Sequence, residues 1–422
     1  MSVTLAHLMP APFVQQVGKA LFEAKMLDQF ATTLVDQPNV PWLNSAYRCA
    51  KLLKFDLAHQ LSRRAVTEIP PTLVQSYAWP EILRLFVTRV DRDKRLTDMV
   101  FHWGLHQFDQ WVANDVLPGS EAVYGYEYGC LATFKAAQQR NMARIYDVPS
   151  PEHDFVENLL EDEFRKFPEL QTPYRKYCRA RQAERTARRQ QEWQLADVII
   201  ANSEFTKASY VAAGVADSKV RVVPYGAPAV HPDILTQPQS HHDKVQFLWA
   251  GTFSVRKGAH YLLQAWQQLQ LKQVAQLNVY GAMGLPESLL KTVPDSVHLT
   301  GTVPRSELYP IYHRSDVLVF PTLCDGFGMV VTEAFAQGLP VITTDRAGAA
   351  DLVQHGVNGL IIPAGNVQAL AAALEWCITH RSELRSMRQA ALETAKNWQW
   401  SDYRHRLIQQ LKAGLMSANY SL

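Results

Sequence analysis

The sequence has few of the features that mark a secreted, membrane-spanning or nucleic-acid-binding protein. Its 422 residues include only five cysteines, without C-x-x-C spacing, so neither a disulfide framework nor a zinc site is expected. No apolar run approaches the length that spans a bilayer, and MSVTLAHLMP lacks the basic leader of a secretory signal. The formal net charge of +2 is far from the basic excess of nucleic-acid binders. These absences predict a soluble protein of the reducing cytoplasm.

The composition and the pattern of apolar runs predict two α/β domains. The length exceeds the usual size of one domain, and 47% apolar residues are ample for two cores. From about Val245 onward, short apolar runs alternate with helical patterns such as Tyr261–Leu271 and Val367–His380. The strands predicted in this half are Val245–Ala250, Leu277–Tyr280, Val297–Leu299, Val317–Phe320, Val341–Thr343 and Leu360–Ile362. This alternation is typical of a doubly wound parallel sheet.

The first half of the chain shows fewer clear strands. Those predicted are Val3–Leu5, Ala122–Tyr124, Ala143–Tyr146 and Val198–Ala201. Pro224 and the proline- and histidine-bearing stretch Pro228–Asp243 are interpreted as the connection between the domains.

The segment VLVFPTLCDGFGMVVTEAFAQG, residues 317–338, is the most informative part of the chain. It begins with a continuous apolar strand that Pro321 ends. Gly326 and Gly328 flank Phe327, which allows the backbone to bend tightly and to approach a ligand closely. A helix predicted from about Met329 directs its free N–H groups and positive dipole end into that turn. The arrangement is suited to phosphate.

Two carboxylates accompany this predicted phosphate site. Asp325 precedes the turn, and Glu333 lies about one helical turn inside the helix, where it can reach a ribose. Acidic residues at a helix start are also common for reasons of stability alone, because they complement the helix dipole. The order and spacing of these groups at strand-to-helix turns favour a ligand-binding role, since open α/β sheets bind ligands at such turns.

The same residues resemble the acid-x7-Glu motif of glycosyltransferase family 4, the retaining group 1 enzymes that use nucleotide sugars. Asp325 stands where the family usually has glutamate, and the remaining matches are Glu333, Ala334, Gly338, Pro340 and Val341. The resemblance implies the GT-B fold, in which two Rossmann-like doubly wound domains face each other across a cleft. It implies a first domain of residues 1–227 and a nucleotide-sugar-binding domain of residues 228–401. A terminal helix of about 402–422 is expected to pack back on the first domain.

Residues 247–258, FLWAGTFSVRKG, resemble the family element that contacts the donor diphosphate. Lys257 occupies the position of the contacting ammonium, Arg256 adds charge beside it, and Thr252 replaces an arginine common in the family. The resemblance implies a donor site formed by Gly251, Thr252, Val303, Gly326, Phe327, Gly328 and Met329. The catalytic group implied is Lys257, Arg256, Asp325 and Glu333, joined by a residue of the first domain.

That residue is predicted to lie near the strand ends of the first half. Asp147 aligns best with the family histidine that contacts the donor sugar, and His153 follows six residues later as the alternative. A lone histidine is more often structural than catalytic. The surrounding tyrosines could equally be packing residues of a strand.

The resemblance implies a retaining transfer of sugar from a nucleoside diphosphate to a hydroxyl acceptor, without a metal or other cofactor. The first alternative is a non-catalytic nucleotide-sugar binder or a regulatory subunit of the same fold. A phosphorylase or an epimerase of this architecture is a further alternative. A nicotinamide-dependent enzyme is disfavoured, because no G-x-G-x-x-G follows a predicted strand.

Two charged segments have uncertain meaning from sequence alone. The basic run Tyr174–Trp193 could contact anionic lipid at the inner face of a membrane, but a solvated helix is favoured because apolar anchors are sparse. Asp91 and Asp93 form an Asp-x-Asp pattern that some metal-dependent transferases use. No buried strand precedes them, so we interpret this pattern as a helix end.

Overall fold

The computed structural model describes residues 1–36, 61, 64–230, 234 and 243–420. Within these residues the chain forms two parallel sheets with helices packed against them. The first sheet has seven strands in the order β3-β2-β1-β4-β5-β6-β7, and the second has six in the order β10-β9-β8-β11-β12-β13. This is the predicted GT-B architecture of two doubly wound sheets.

The strands follow the apolar runs of the sequence. In the first sheet they are β1 Val3–Ala6, β2 Leu27–Thr32, β3 Val74–Ser76, β4 Ala122–Tyr126, β5 Ala143–Val148, β6 Val198–Ala201 and β7 Val220–Val222. In the second they are β8 Val245–Ala250, β9 Ala275–Tyr280, β10 Val297–Gly301, β11 Val317–Phe320, β12 Val341–Thr344 and β13 Gly359–Ile362.

The helices cover the faces of both sheets. In the first half they are α1 Pro12–Glu23, α2 Trp79–Val90, α3 Arg95–Trp111, α4 Leu131–Gln139, α5 His153–Lys166, α6 Pro173–Arg179, α7 Gln182–Leu195 and α8 Glu204–Ala212. In the second half they are α9 Ala259–Gln268, α10 Glu287–Leu290, α11 Arg305–Arg314, α12 Met329–Ala336, α13 Val367–Thr379, α14 Arg381–Lys396 and α15 Trp400–Ser417. Among the helices of the described ranges, none is long and apolar enough to cross a membrane.

Each sheet contains a point at which the strand order reverses. In the first sheet this point lies between β1 and β4, and in the second between β8 and β11. β11 pairs with β8 at Val317 and Phe247 and with β12 at Leu318 and Val341. Ligands of open parallel sheets bind outside the carboxyl ends of the strands at such a point. The fold therefore predicts a binding site beyond Phe320 and Ala250.

The predicted strands of the second half are confirmed to within two residues at either end. The predicted helix over 261–271 instead spans Ala259–Gln268, because Gln270 adopts a left-handed conformation with φ of 49° and the chain then forms a short 3-10 turn. In the first half, β2, β3 and the three-residue β7 were missing from the sequence prediction. The sequence of β2, LDQFAT, is polar at several positions, and β3 buries only Val74, so neither shows a clear apolar run.

The last helix returns to the first sheet. On α15, Leu411 belongs to the same core as Val198 of β6, and Gly414 packs closely against Val198. Arg404 forms an ion pair with Glu23 of α1, with 2.9 Å between Nε and Oε2. The expected packing of a terminal helix on the first domain is therefore seen, although the helix begins at Trp400.

The chain passes between the two halves at two neighbouring points. The first passage follows Tyr225, and the second precedes α15. The amide of Ala227 donates to the carbonyl of Trp398 over 2.6 Å, and the Trp398 indole donates to the carbonyl of Tyr225 over 3.0 Å. The last strand of the first sheet ends at Val222, and the first strand of the second sheet begins at Val245. Most of the predicted connection over 228–243 lies outside the described residues.

Candidate active site

A cavity of about 470 Å³ lies between the two sheets at the strand ends where both strand orders reverse. The second half supplies most of its lining: Trp249, Ala250, Gly251, Thr252, Lys257, Phe320, Asp325, Phe327, Gly328, Met329, Val330 and Glu333. The first half supplies Pro12, Phe13, Pro149, Asn202 and Tyr225. Most of the predicted donor-site residues are therefore brought together.

The turn between β11 and α12 has the conformation that its glycines predict. Gly328 immediately precedes α12 with φ of 88°, and a Cβ there would lie 2.6 Å from the Phe320 ring. Helix α12 begins at Met329, as the sequence predicted. Its first amides have no acceptor within the helix, so the helix offers N–H groups and the positive dipole end to the cavity. This end of the cavity is suited to an anion.

Lys257 and Asp325 form an ion pair inside the cavity. The Lys257 ammonium contacts the Asp325 carboxylate, whose other oxygen accepts a hydrogen bond from the Phe327 amide over 3.3 Å. Burial and the neighbouring Arg256 guanidinium lower the pKa of Lys257, while contact with Asp325 favours the charged ammonium. The lysine is thus a cation held in a partly desolvated cleft, where its attraction for phosphate is stronger than in water.

Glu333 is buried on α12, and its carboxylate accepts a hydrogen bond from the Tyr312 hydroxyl over 3.1 Å. Tyr312 is fully buried on α11, so it fixes the carboxylate at the wall of the cavity. The predicted position of Glu333 about one turn after the glycine turn is therefore found. Tyr312 was not singled out in the sequence, because a tyrosine on a polar helix carries no motif.

The other predicted residues of the second half differ in whether they reach the cavity. Gly251 and Thr252 line the cavity after β8. Arg256, Val303 and Gly326 are not among the lining residues. In the described part of the chain the Arg256 guanidinium has no hydrogen-bonding or ionic partner. Burial raises the pKa of Glu127 in the first half, and the charges of Arg189 and, to a smaller extent, Arg256 oppose that rise. Arg256 is thus a cation at the boundary between the halves.

The wall from the first half is mainly aromatic. Phe13, at the start of α1, stacks on Tyr225 with 5.3 Å between ring centroids, and Tyr225 meets Phe327 edge to face at 5.3 Å. Asn202 donates its side-chain amide to the Pro149 carbonyl over 2.8 Å. Sequence reasoning missed these lining residues, because they lie on separate segments of the chain that only the fold brings together.

Neither predicted sugar-contacting residue of the first half lines the cavity. Asp147 is buried at the end of β5, where it accepts a hydrogen bond from the Tyr124 hydroxyl over 2.5 Å. Burial raises the pKa of Asp147 to about 7. The His153 Nδ1 lies 2.8 Å from the Thr186 hydroxyl, and burial lowers the pKa of His153 to about 4. A sugar contact from either residue stays a prediction.

The glycine turn also contacts the first half directly. The Gly326 carbonyl accepts hydrogen bonds from the Ser203 hydroxyl over 2.6 Å and from the Thr206 hydroxyl over 3.2 Å. The Ser203 oxygen in turn accepts from the Thr206 amide, so it caps α8 at the same time. The donor-side loop and the first half are therefore joined by hydrogen bonds.

The basic run over 174–193 forms α6 and α7, and many of its arginines are paired with carboxylates. The pairs are Arg175 with Glu157, Arg179 with Glu161, Arg185 with Asp98, Arg188 with Asp109 and Glu192, and Arg189 with Glu127. The favoured interpretation as a solvated helix is therefore incomplete, because ion pairs join α6 and α7 to neighbouring segments of the first half. Asp91 ends α2 and accepts the Thr97 amide over 2.6 Å, which agrees with its interpretation as a helix end.

Comparison with known proteins gives the class to which this fold and cavity belong. Residues 244–380 match the family model described as glycosyl transferases group 1. Sucrose-phosphate synthase from Thermosynechococcus elongatus has a similar structure, with a TM-score of 0.68 at 20% identity over 99% of this chain and 100% of that one. Anabaena HepE in complex with UDP-glucose gives 0.63 at 15% identity over 98% and 100%. The chain thus has the GT-B fold, and within its second half residues 244–380 are similar to the group 1 glycosyl transferases.

Curated relatives match over part of their length. D-inositol 3-phosphate glycosyltransferase 1 of Catenulispora acidiphila is 28% identical over 182 residues, which cover 40% of this chain and 44% of the relative. The capsular polysaccharide biosynthesis glycosyltransferase CapM of Staphylococcus aureus is 32% identical over 141 residues, 32% of this chain and 37% of the relative. The chain therefore spans less than half the length of these relatives.

Proposed function

We propose that this protein is a retaining glycosyltransferase that moves a sugar from a nucleoside-diphosphate sugar to a hydroxyl acceptor. The observation that carries the proposal is the convergence of Lys257, Asp325, Glu333 and the start of α12 on one cavity between the sheets. Sugar transfer needs cationic and amide groups for the departing diphosphate and carboxylates for the hydroxyls. The cavity presents both kinds of group, and group 1 relatives of the second half support the assignment.

In this mechanism the transition state resembles an oxocarbenium ion, with negative charge growing on the diphosphate. Lys257 and the amides at the start of α12 stabilise the leaving oxygens, and Arg256 adds a second cation as the halves close. Glu333 binds the ribose, and Asp325 binds hydroxyls of the donor sugar. The acceptor attacks on the face that the diphosphate leaves, and the diphosphate receives its proton. No metal is required in this scheme, so turnover is expected to persist with a chelator.

Donor binding by alanine variants tests these roles. Loss of a hydrogen bond to a charged group corresponds to about 1.5–3 kcal/mol, so Glu333→Ala and Lys257→Ala should each weaken donor binding about 10–100-fold. UDP-glucose is a suitable first donor, because similar structures were solved with UDP and UDP-glucose. Calorimetry measures the affinity. Glu287→Ala and Lys291→Ala, which break an exposed ion pair elsewhere in the second half, are the matched controls.

Near-normal donor affinity and turnover in both cavity variants would contradict the proposal. A non-catalytic nucleotide-sugar binder of the same fold remains the second reading, supported by Asp325 and Thr252 in place of the usual family residues. Slow donor hydrolysis, or transfer to any acceptor, separates an enzyme from such a binder. Loss of both activities in Lys257→Ala then ties the chemistry to this cavity.

A further inference from the structure

Helices α2 and α3 expose an unusual share of the large apolar side chains. Thirteen such side chains are exposed in the described residues, and eight of them lie between positions 79 and 103. They are Trp79, Leu83, Phe86, Val90, Leu96, Met99, Phe101 and Trp103. Contiguous exposed apolar patches of this kind mark interaction sites in soluble proteins.

Seven of these side chains form one continuous strip, here called the hairpin strip. On α2 the members are Trp79, Leu83, Phe86 and Val90, and on α3 they are Leu96, Met99 and Trp103. Both sets have the spacing of a single helical face. The two helices are joined by four residues and lie antiparallel, and the Trp79 and Trp103 rings meet at 4.8 Å between centroids. From this contact, the helical rise places Leu83 opposite Met99 and Phe86 opposite Leu96. The strip is thus about 17 Å long.

The end of the hairpin strip at the connection between α2 and α3 is cationic. The segment RVDRDKR, residues 89–95, carries four positive and two negative charges. One of the negative groups, Asp91, is engaged by the Thr97 amide. Val90, which is 77% exposed, is the most exposed of the large apolar side chains in the described residues and lies beside this charge. A strip of tryptophan and aliphatic side chains with cations at one end matches the composition of segments that lie in the membrane interface.

We propose that the hairpin strip docks this protein on an anionic lipid bilayer, with the strip in the interface and Arg92 and Lys94 against the headgroups. Aliphatic members such as Leu83 and Met99 favour lipid over a glycan chain, which would stack on aromatic rings alone. A second copy bound in the same direction through this surface would bring two cationic ends together, which is unfavourable. One bound in the opposite direction would place each cationic end beside the tryptophan end, where Glu81 is already paired with Arg64 and Arg84. Charge complementarity therefore favours anionic lipid.

The position of the strip agrees with access to a lipid-linked acceptor. Phe101 of α3 and the exposed Met9 line a small cavity at the foot of the hairpin. Met9 belongs to the loop between β1 and α1, and that loop leads into Pro12 and Phe13, the first residues of α1, in the wall of the cleft. One short loop thus joins the lipid-facing surface to the cleft. This inference about the acceptor rests on the proposed function. The acceptor would be a hydroxyl group carried by a membrane lipid.

Vesicle flotation of the full chain tests the docking without any donor. Phosphatidylcholine vesicles are compared with vesicles that contain about one quarter phosphatidylglycerol, at low and at high salt. Binding is expected with the anionic vesicles and should weaken with salt. Val90→Asp/Met99→Asp should abolish flotation. The matched control, Val357→Asp/Met416→Asp, adds the same charge at two exposed apolar residues outside the strip and should float like wild type.

Arg92→Gln/Lys94→Gln tests the cationic end and should weaken binding to anionic vesicles roughly 30-fold. Unchanged thermal melting and donor affinity in all variants would show that the strip acts only in docking. Absence of flotation by wild type, or equal flotation by Val90→Asp/Met99→Asp, overturns the proposal. A wild-type dimer that this variant converts to monomer also overturns it, in favour of a second copy. Since flotation needs no donor, its outcome is independent of the test of catalysis.

Discussion

At the scale of single residues, the pairing of Lys257 with Asp325 has a consequence for ligand binding. In the cavity, the Asp325 carboxylate is paired with the Lys257 ammonium. This ammonium is the cation that a diphosphate would approach under the proposed function. Under that function, a nucleoside diphosphate would compete with Asp325 for Lys257, whereas a full donor would gain a contact between Asp325 and its sugar.

Asp325→Asn should separate these two effects. UDP without a sugar should bind more tightly to the variant, because the competing charge is gone. The affinity for UDP-glucose should increase less than the affinity for UDP, or should fall, because a contact with the sugar is also lost. The empty variant should be less stable by about 1–3 kcal/mol, since Lys257 is left without its partner. Calorimetry with both ligands and denaturant melts measure the changes, and equal shifts for the two ligands would contradict this account.

At the scale of elements, the contact of the glycine turn with the first half makes a sharp steric prediction. A Cβ on Gly326 would lie 2.1 Å from the Pro149 carbonyl oxygen. Gly326→Ala should therefore force the turn away from Ser203 and lower the free energy of unfolding by about 1–3 kcal/mol. Chemical denaturation measures the loss, and small-angle scattering measures any widening of the cleft.

Gly129→Ala is the matched control for that substitution, because the nearest atom to its Cβ would lie at 3.6 Å, an ordinary contact. Equal stability of the two variants would contradict the steric argument. The comparison also separates the effect of crowding from the general effect of replacing a glycine in a loop.

The elements also show which parts of the fold and site were predictable. The strands of the second half and the start of α12 followed directly from apolar runs and glycine positions, because buried parallel strands are nearly continuous in apolar residues. β2 and β3 were not predictable, since their burial depends on neighbours distant in sequence. Within the cavity, Lys257 and Glu333 belonged to a recognisable pattern. Phe13 and Tyr225 did not, because their role depends on how the two halves meet.

At the scale of the whole molecule, a buried carboxylate joins the two halves away from the cavity. Glu163 of α5 accepts a hydrogen bond from the Tyr261 hydroxyl over 2.8 Å, and one of its oxygens lies 3.3 Å from His260 Nε2. Burial alone would raise the pKa of Glu163, but the contacts with His260, Lys166 and Tyr261 together lower it to about 2. Phe164 and Leu170 pack in the core of the second half beside this contact.

The lowered pKa of Glu163 predicts how the stability of the protein changes as the pH falls. A carboxyl whose folded pKa lies below its ordinary value of 4.5 contributes stability above pH 4.5 and loses it as the pH falls towards 2. Glu163→Gln should thus be less stable than wild type at pH 6, and the difference should shrink between pH 4.5 and 2. Urea midpoints across this range measure the difference. Glu287→Gln, in an exposed pair, should show no such trend, and a constant difference for Glu163→Gln would exclude the linkage.

The two neighbouring passages of the chain determine which end of the cleft can open widely. Tyr225 lies at the first passage and Trp398 at the second, and they are joined by a hydrogen bond. A body attached at two adjacent points rotates about the line through them, so displacement grows with distance from that line. Phe327 touches Tyr225 beside this axis. The part of the cavity beside Phe327 would then stay nearly still while the opposite rim swings outward. Under the proposed function, a ligand bound near Phe327 would be retained while one bound at the rim is exchanged.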